Sequence, residues 1–239
     1  MTSRFCCIIL LSILLVGCTQ VPTTVNHPEP YFPENKADLQ KTGCVNQDGG
    51  RYDCPPESPI GKLGCEFIYQ DQLLGGFTPS YSIWNCSSSK EISSDYFVHQ
   101  SSCLGWRYAS DGLVLSTGNA YRLINMSSID DLKATFAPID SEAEAMSYLL
   151  IASELNLELE TGVPVYSFIQ SEIANYYLPT IEGTHVEVYD EGYLVNMYSN
   201  PDCGCGDHKV YKIDILVKSN GEIKILHRKL AYKFNACVD

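Results

Sequence analysis

Cations are scarce in this chain: 16 Lys and Arg stand against 29 Asp and Glu in 239 residues, a formal net charge of −13. Such a surface repels phosphate backbones, so nucleic acid is not an expected partner. The chain also has no Gly-x-Ser-x-Gly elbow, phosphate-binding loop, dinucleotide fingerprint or His-Glu-x-x-His. The common hydrolase, nucleotide-binding and metalloprotease machineries therefore have no sequence support. Histidines number only five, and no Cys-x-x-Cys pair exists, which removes the strongest zinc-site signal. No cofactor or metal set is read from the sequence, and no catalytic residue. Nor does any apolar run reach the roughly 20 residues of a membrane-spanning helix.

What is present begins with Phe5 to Cys18, FCCIILLSILLVGC. About a dozen apolar residues follow one positive charge, Arg4, and end in a small residue before a cysteine, the pattern of an export signal. The closing tetrapeptide Leu15-Val16-Gly17-Cys18 resembles the lipobox of bacterial lipoproteins. In that family the last cysteine is lipidated on sulfur, cleavage falls just before it, and the new amino terminus is acylated as well. The resemblance implies that Cys18 is the first mature residue and carries the palmitate-type lipid anchor, with residues 1–17 as signal peptide. Val16 departs from the commoner small residue at its place. Several acyl chains are what stable anchoring requires. The partner so implied is a membrane, the outer one if the cell is Gram-negative, because Thr19 and not aspartate follows the cysteine.

Beyond Cys18 lie eight cysteines, Cys44, Cys54, Cys65, Cys86, Cys103, Cys203, Cys205 and Cys237. Export puts them in an oxidising compartment, where an even number predicts a disulfide framework with 105 conceivable connectivities. Five precede residue 104 and three follow 202, so complete pairing demands at least one bridge between the halves. Residues 18–43 carry Pro22, Pro28, Pro30 and Pro33 and read as a lipidated, semi-extended tether reaching on the order of 75 Å at about 3.1 Å per residue. Residues 44–103 form a Cys-rich, loop-rich segment with short strands expected at Glu66 to Tyr69 and Tyr96 to His99, held more by bridges than by a core. This segment packs on an α+β domain, residues 104–239.

Leu104 to Asn125 reads as a hairpin around Asp111-Gly112. Ser128-x-x-Asp131 and Ser141-x-x-Glu144 both fit a capping box and predict two helices. The second carries Ala145, Tyr148, Leu149, Ala152 and Leu155 on one stripe, the mark of a helix that covers a sheet. Val186 and Val188, then Val195 and Met197, flank Asp190-Glu191-Gly192 as a hairpin. Tyr211, Ile213, Ile215 and Val217 alternate with polar residues as a strand with one buried face. A three-residue Ser219-Asn220-Gly221 loop with glycine in the left-handed region pairs Val217 with Ile223 and Ile215 with Ile225. A two-residue loop sets charges against the apolar face, because one slip in register flips every side chain. Extended back, the preferred ladder sets His227 opposite Ile213 and brings Cys237 beside Cys203 or Cys205, either within bridging distance. The fold class expected is thus α+β: an antiparallel C-terminal meander covered by one or two helices, preceded by the disulfide-rich segment.

The blocks LKATFAPIDSEAEAMSYLL and CGCGDHKVYKIDILVKSNGEI, with the terminal CVD, resemble a group of exported bacterial proteins and imply no particular activity. The sharpest chemical constellation is Cys203-Gly-Cys205-Gly-Asp-His208. It reads as disulfide structure, with a metal site and a Cys205 nucleophile with His208 as its base left as alternatives. The other histidines fall in the tether, His27, and in strand-like runs, His99 and His185. Asn46, Asp48 and Asp53 form a turn without the spacing of a calcium loop. The acid pairs Asp130-Asp131 and Glu158/Glu160 read as caps or solvated faces. The 16 tyrosines read as half-buried sheet residues or a groove. The functional expectation is a tethered, non-enzymatic lipoprotein of the cell envelope that binds a protein, peptide or glycan. An envelope hydrolase or thiol enzyme using Cys205 and His208 is the alternative.

Overall fold

The computed structural model describes residues 22–27, 39–47, 51–70, 75–78, 81–88, 112–117, 120–124, 129–154, 174–199 and 204–238. After β1 (Thr23–Val25) come β2 (Val45–Asn46), β3 (Arg51–Asp53), β4 (Phe67–Gln70), β5 (Ser82–Ser87), β6 (Gly112–Thr117) and β7 (Ala120–Ile124). Strands β2 to β7 form one six-stranded antiparallel sheet in chain order. Helices α1 (Ile129–Phe136) and α2 (Glu142–Glu154) follow. The rest is β8 (Asn175–Tyr176), β9 (Thr180–Glu182), β10 (His185–Tyr189), β11 (Gly192–Tyr198), β12 (Gly204–Lys218) and β13 (Ile223–Val238). Five of these make a second sheet, ordered β10-β11-β12-β13-β8, while β1 pairs with β9 in parallel. The α+β class, the C-terminal antiparallel sheet and the N-terminal disulfides are as expected.

Helix α2 lies in a core that both sheets share. Ile83, Leu113 and Leu115 of the six-stranded sheet and Val195, Met197, Ile213, Ile215 and Val217 of the five-stranded sheet enclose it. Ala145, Tyr148, Leu149 and Ala152 are buried as the stripe predicts, but so are Met146, Leu150 and Ile151. A helix hydrophobic on every side needs cover on every side, and the second sheet supplies it. At its start, the Ser141 hydroxyl accepts from the Glu144 amide at 3.1 Å, as in a capping box. The buried Glu144 carboxylate reaches further back than that motif predicts, accepting from the amides of Asp140 and Thr78, each at 2.7 Å. Negative charge at a helix start is favourable, and here it also ties the 75–78 loop to the helix. Ser128, Leu155, Glu158 and Glu160 lie outside the described residues; Asp130 and Asp131 occupy the first turn of α1.

The opposite face of the six-stranded sheet has a core of its own, in which Ile68, Trp84 and Val114 pack on Cys54, Ile60, Cys65 and Cys86. The N-terminal segment is thus held by apolar burial as well as by bridges, each such side chain contributing about 1.5–3 kcal/mol when fully buried. Strand β4 matches the strand expected there, and Tyr96 to His99 lies outside the described residues. The hairpin read at Asp111-Gly112 is a correction. Gly112 is already in β6, opposite Cys86, and the chain reverses between Thr117 and Ala120. Leu113, Val114 and Leu115 are all buried because both faces are covered, which erases the alternation that marks strand ends.

In the C-terminal sheet the hairpin of β10 and β11 closes over Asp190-Glu191, pairing Tyr189 with Gly192. Between β12 and β13, Val217 pairs with Ile223 and Ile215 with Ile225, and Gly221 has φ 79°, as the three-residue loop requires. Two irregularities, after Asp214 and after Val210, then shift the register by one residue each. His227 consequently sits opposite Asp214, not Ile213, and Cys237 opposite Cys205, not Cys203.

Candidate functional site

The disulfides decide which thiols are available for chemistry. Cys44 joins Cys54, Cys65 joins Cys86, and Cys205 joins Cys237. These three disulfides among the described residues place the protein in an oxidising, non-cytoplasmic compartment. Cys18, Cys103 and Cys203 lie outside the described residues, so the expected bridge between the halves falls there too. With Cys205 bonded to Cys237, no thiolate is left at that position. His208 is buried on Phe234, and its Nε2 lies 3.0 Å from the Ala236 carbonyl. Cys205 and His208 are therefore not arranged as nucleophile and base.

A different polar constellation forms where the amino-terminal strand meets the second sheet. Thr23, Thr24 and Val25 are β-branched and suit an extended pairing. They lie in register with Thr180, Ile181 and Glu182 of β9, and the Gly183 amide donates to the Val25 carbonyl at 3.2 Å. Within the stretch read as a tether, residues 23–25 are thus paired with the second half of the chain. This pairing carries His27 onto His185, with ring centroids 3.5 Å apart and planes 9° from parallel. His185 is buried, its Nδ1 2.6 Å from the Gly183 carbonyl and its Nε2 3.3 Å from a Glu187 carboxylate oxygen. His185 and Glu187 are two apart on β10 and so share a face.

Beside this trio runs a chain of charges across β9, β11 and β12. The Lys212 ammonium donates to the Glu182 carboxylate and lies 3.8 Å from Asp214. Asp214 also accepts from the Asn196 side-chain amide at 2.8 Å and faces His227 at 3.6 Å. The hydrogen bond from Lys212 holds the Glu182 carboxyl below its ordinary range, against the opposing effect of burial, with the nearby His185 and His27 adding to the lowering. The Tyr198 hydroxyl donates to the Glu182 carbonyl at 2.8 Å, and burial pushes its pKa up to about 12. Among the described residues, His27, His185 and Glu187 are the one group of three or more His, Cys, Asp or Glu able to hold a metal ion, with ligand atoms within 4.8 Å of one another.

The other candidates from the sequence stay apart. Asp53 pairs with the Arg51 guanidinium at 3.0 Å within β3, Asp48 lies outside the described residues, and His227 is exposed. Tyr148, Tyr198 and Tyr232 are buried while Tyr177 and Tyr189 are exposed; His99 lies outside the described residues. Sequence reasoning missed the His27/His185 pairing, since nothing local in the chain announces that β1 returns to β9. No described helix is long and apolar enough to cross a membrane. No family model, curated protein or solved structure matches the chain.

Proposed function

We propose that this chain is a lipoprotein of the bacterial envelope, anchored through an acylated Cys18, with a non-enzymatic body that binds an envelope protein, peptide or glycan. The disulfide set carries this reading, because it demands the exported compartment that a lipobox-type signal serves. The docking of β1 alters the geometry of anchorage. Only residues 19–22 separate Cys18 from Thr23, a reach of about 17 Å at most. The folded body is then held close to the bilayer instead of on a long tether, and its binding surface faces the layer next to the membrane. The engagement of Cys205 and His208 within the sheet supports a binding role over the thiol-enzyme alternative.

Mass spectrometry of the amino-terminal peptide from native membranes tests the anchor. A mature chain beginning at an acylated Cys18 is expected, and Cys18→Ala should leave the protein out of the membrane fraction. An unmodified residue 18, or cleavage elsewhere, overturns the reading.

A further inference from the structure

We infer that His27, His185 and Glu187 form a binding site for a borderline divalent transition ion of the zinc class, and that the ion clamps the amino-terminal strand to the C-terminal sheet. Two imidazole nitrogens and one carboxylate oxygen are a donor set that suits zinc, copper or nickel and not magnesium or calcium. Three protein ligands leave a position open for water or an exogenous ligand.

Three observations point to an ion and not to packing alone. The Nε2 of His27 is shielded from solvent and has no hydrogen-bond partner. An imidazole nitrogen buried in this way lacks compensation for its lost hydration. The Nδ1 of His185 faces the Gly183 carbonyl at 2.6 Å, so that nitrogen carries a proton, and in the neutral ring the lone pair is on Nε2. A backbone carbonyl holding the far nitrogen is how ligating histidines are oriented. In the neutral ring that lone pair looks at a carboxylate oxygen 3.3 Å away, two acceptors that either a second ring proton or a metal cation between them reconciles.

The rings are stacked, and their in-plane lone pairs lie in near-parallel planes instead of converging. A tetrahedral zinc site spaces its ligand atoms by about 3.4 Å, given bonds of about 2.0–2.2 Å. Ligand atoms now within 4.8 Å must therefore draw in by at most about 1.4 Å at the widest pair. His185 is fixed by Gly183, so the movement belongs to His27, just beyond the end of β1, and to the exposed Glu187. Loading is thereby linked to docking: the ion binds well only when β1 lies on β9, and once bound it holds β1 there.

The test is zinc titration by calorimetry of the exported chain, purified without a polyhistidine tag, with hydrogen exchange of residues 19–27 followed in parallel. One zinc per chain is expected, with no heat from magnesium or calcium, and with slower exchange of the Thr23 to Val25 amides once zinc is present. His185→Ala and His27→Ala should each weaken zinc binding by about 100-fold, the upper end of what losing a mere outer-shell partner costs. Glu187→Gln should weaken it less. His27 lies outside both large sheets, so His27→Ala keeps the test alive if His185→Ala fails to fold. Absence of zinc binding, or zinc binding that survives both histidine substitutions, overturns the inference and leaves the stacked rings as packing.

Discussion

The six-stranded sheet is built from strands of two to six residues, whereas β12 and β13 run for 15 and 16 residues side by side. Short strands present few ladder bonds and little face, so the first sheet gains order from elsewhere: a core on each face and two disulfides, one of them fully buried. The long hairpin is held along its length by its own ladder, and its disulfide sits at the open, exposed end. Cross-links thus have different work in the two regions. In the first, Cys65 and Cys86 are part of the core; in the second, Cys205 and Cys237 stop a ladder from fraying.

Removing the buried bridge should break the first region. Cys65→Ala with Cys86→Ala is expected to lower global stability by about 4 kcal/mol, near the upper end for a native disulfide, since core contacts go with the cross-link. Denaturant unfolding of oxidised protein measures it, and a loss no larger than that from the exposed bridge would erase the contrast. The corresponding change in the long hairpin, Cys205→Ala with Cys237→Ala, should cost about 2 kcal/mol. Its effect should be local: amides of residues 204–208 and 234–238 exchange faster while those of Ile213 to Val217 stay protected.

The smallest effect sharpens the comparison on the second sheet alone. Burial pushes the pKa values of Tyr198 and Tyr232 up to about 12 from the usual 10.0. Between those two values the folded chain keeps protons that the unfolded chain has lost, so the stabilising contribution is complete below about pH 10 and fades as pH rises toward 12. Phenolate absorbance should show these two tyrosines titrating late in wild type. Ionisation at the ordinary pH while the fold persists would mean that the face lined by Ile181, Val210 and Ala231 is open to water.

How far the sequence could be read follows the same division. In β12 the alternation of Ile213, Ile215 and Val217 and the Ser219-Asn220-Gly221 turn were enough to set the pairing of 217 with 223, because one buried face and one turn geometry admit a single register. The ladder could not be carried to its end. Bulges respond to twist and neighbouring packing, so Asp214 and Val210 give no sign of the two shifts that select Cys205 as the partner of Cys237. In β6, Leu113 to Leu115 gave no usable period, since cover on both faces makes every position apolar.

The candidate site was not legible at all. His27 belongs to a proline-bearing stretch without apolar period, and His185 to one strand among several; their chemistry exists only in contact. The sequence by itself pointed to a disulfide framework, through the number of cysteines, and determined the elements whose hydrophobic period is strong. Tertiary structure alone decided that a helix read as one-sided is enclosed by two sheets, and that a parallel pairing returns residues 23–25 to 180–182. The physical reason is range. Periodicity and turn chemistry act over a few residues, whereas the docking of β1 depends on surfaces assembled from segments far apart in the chain.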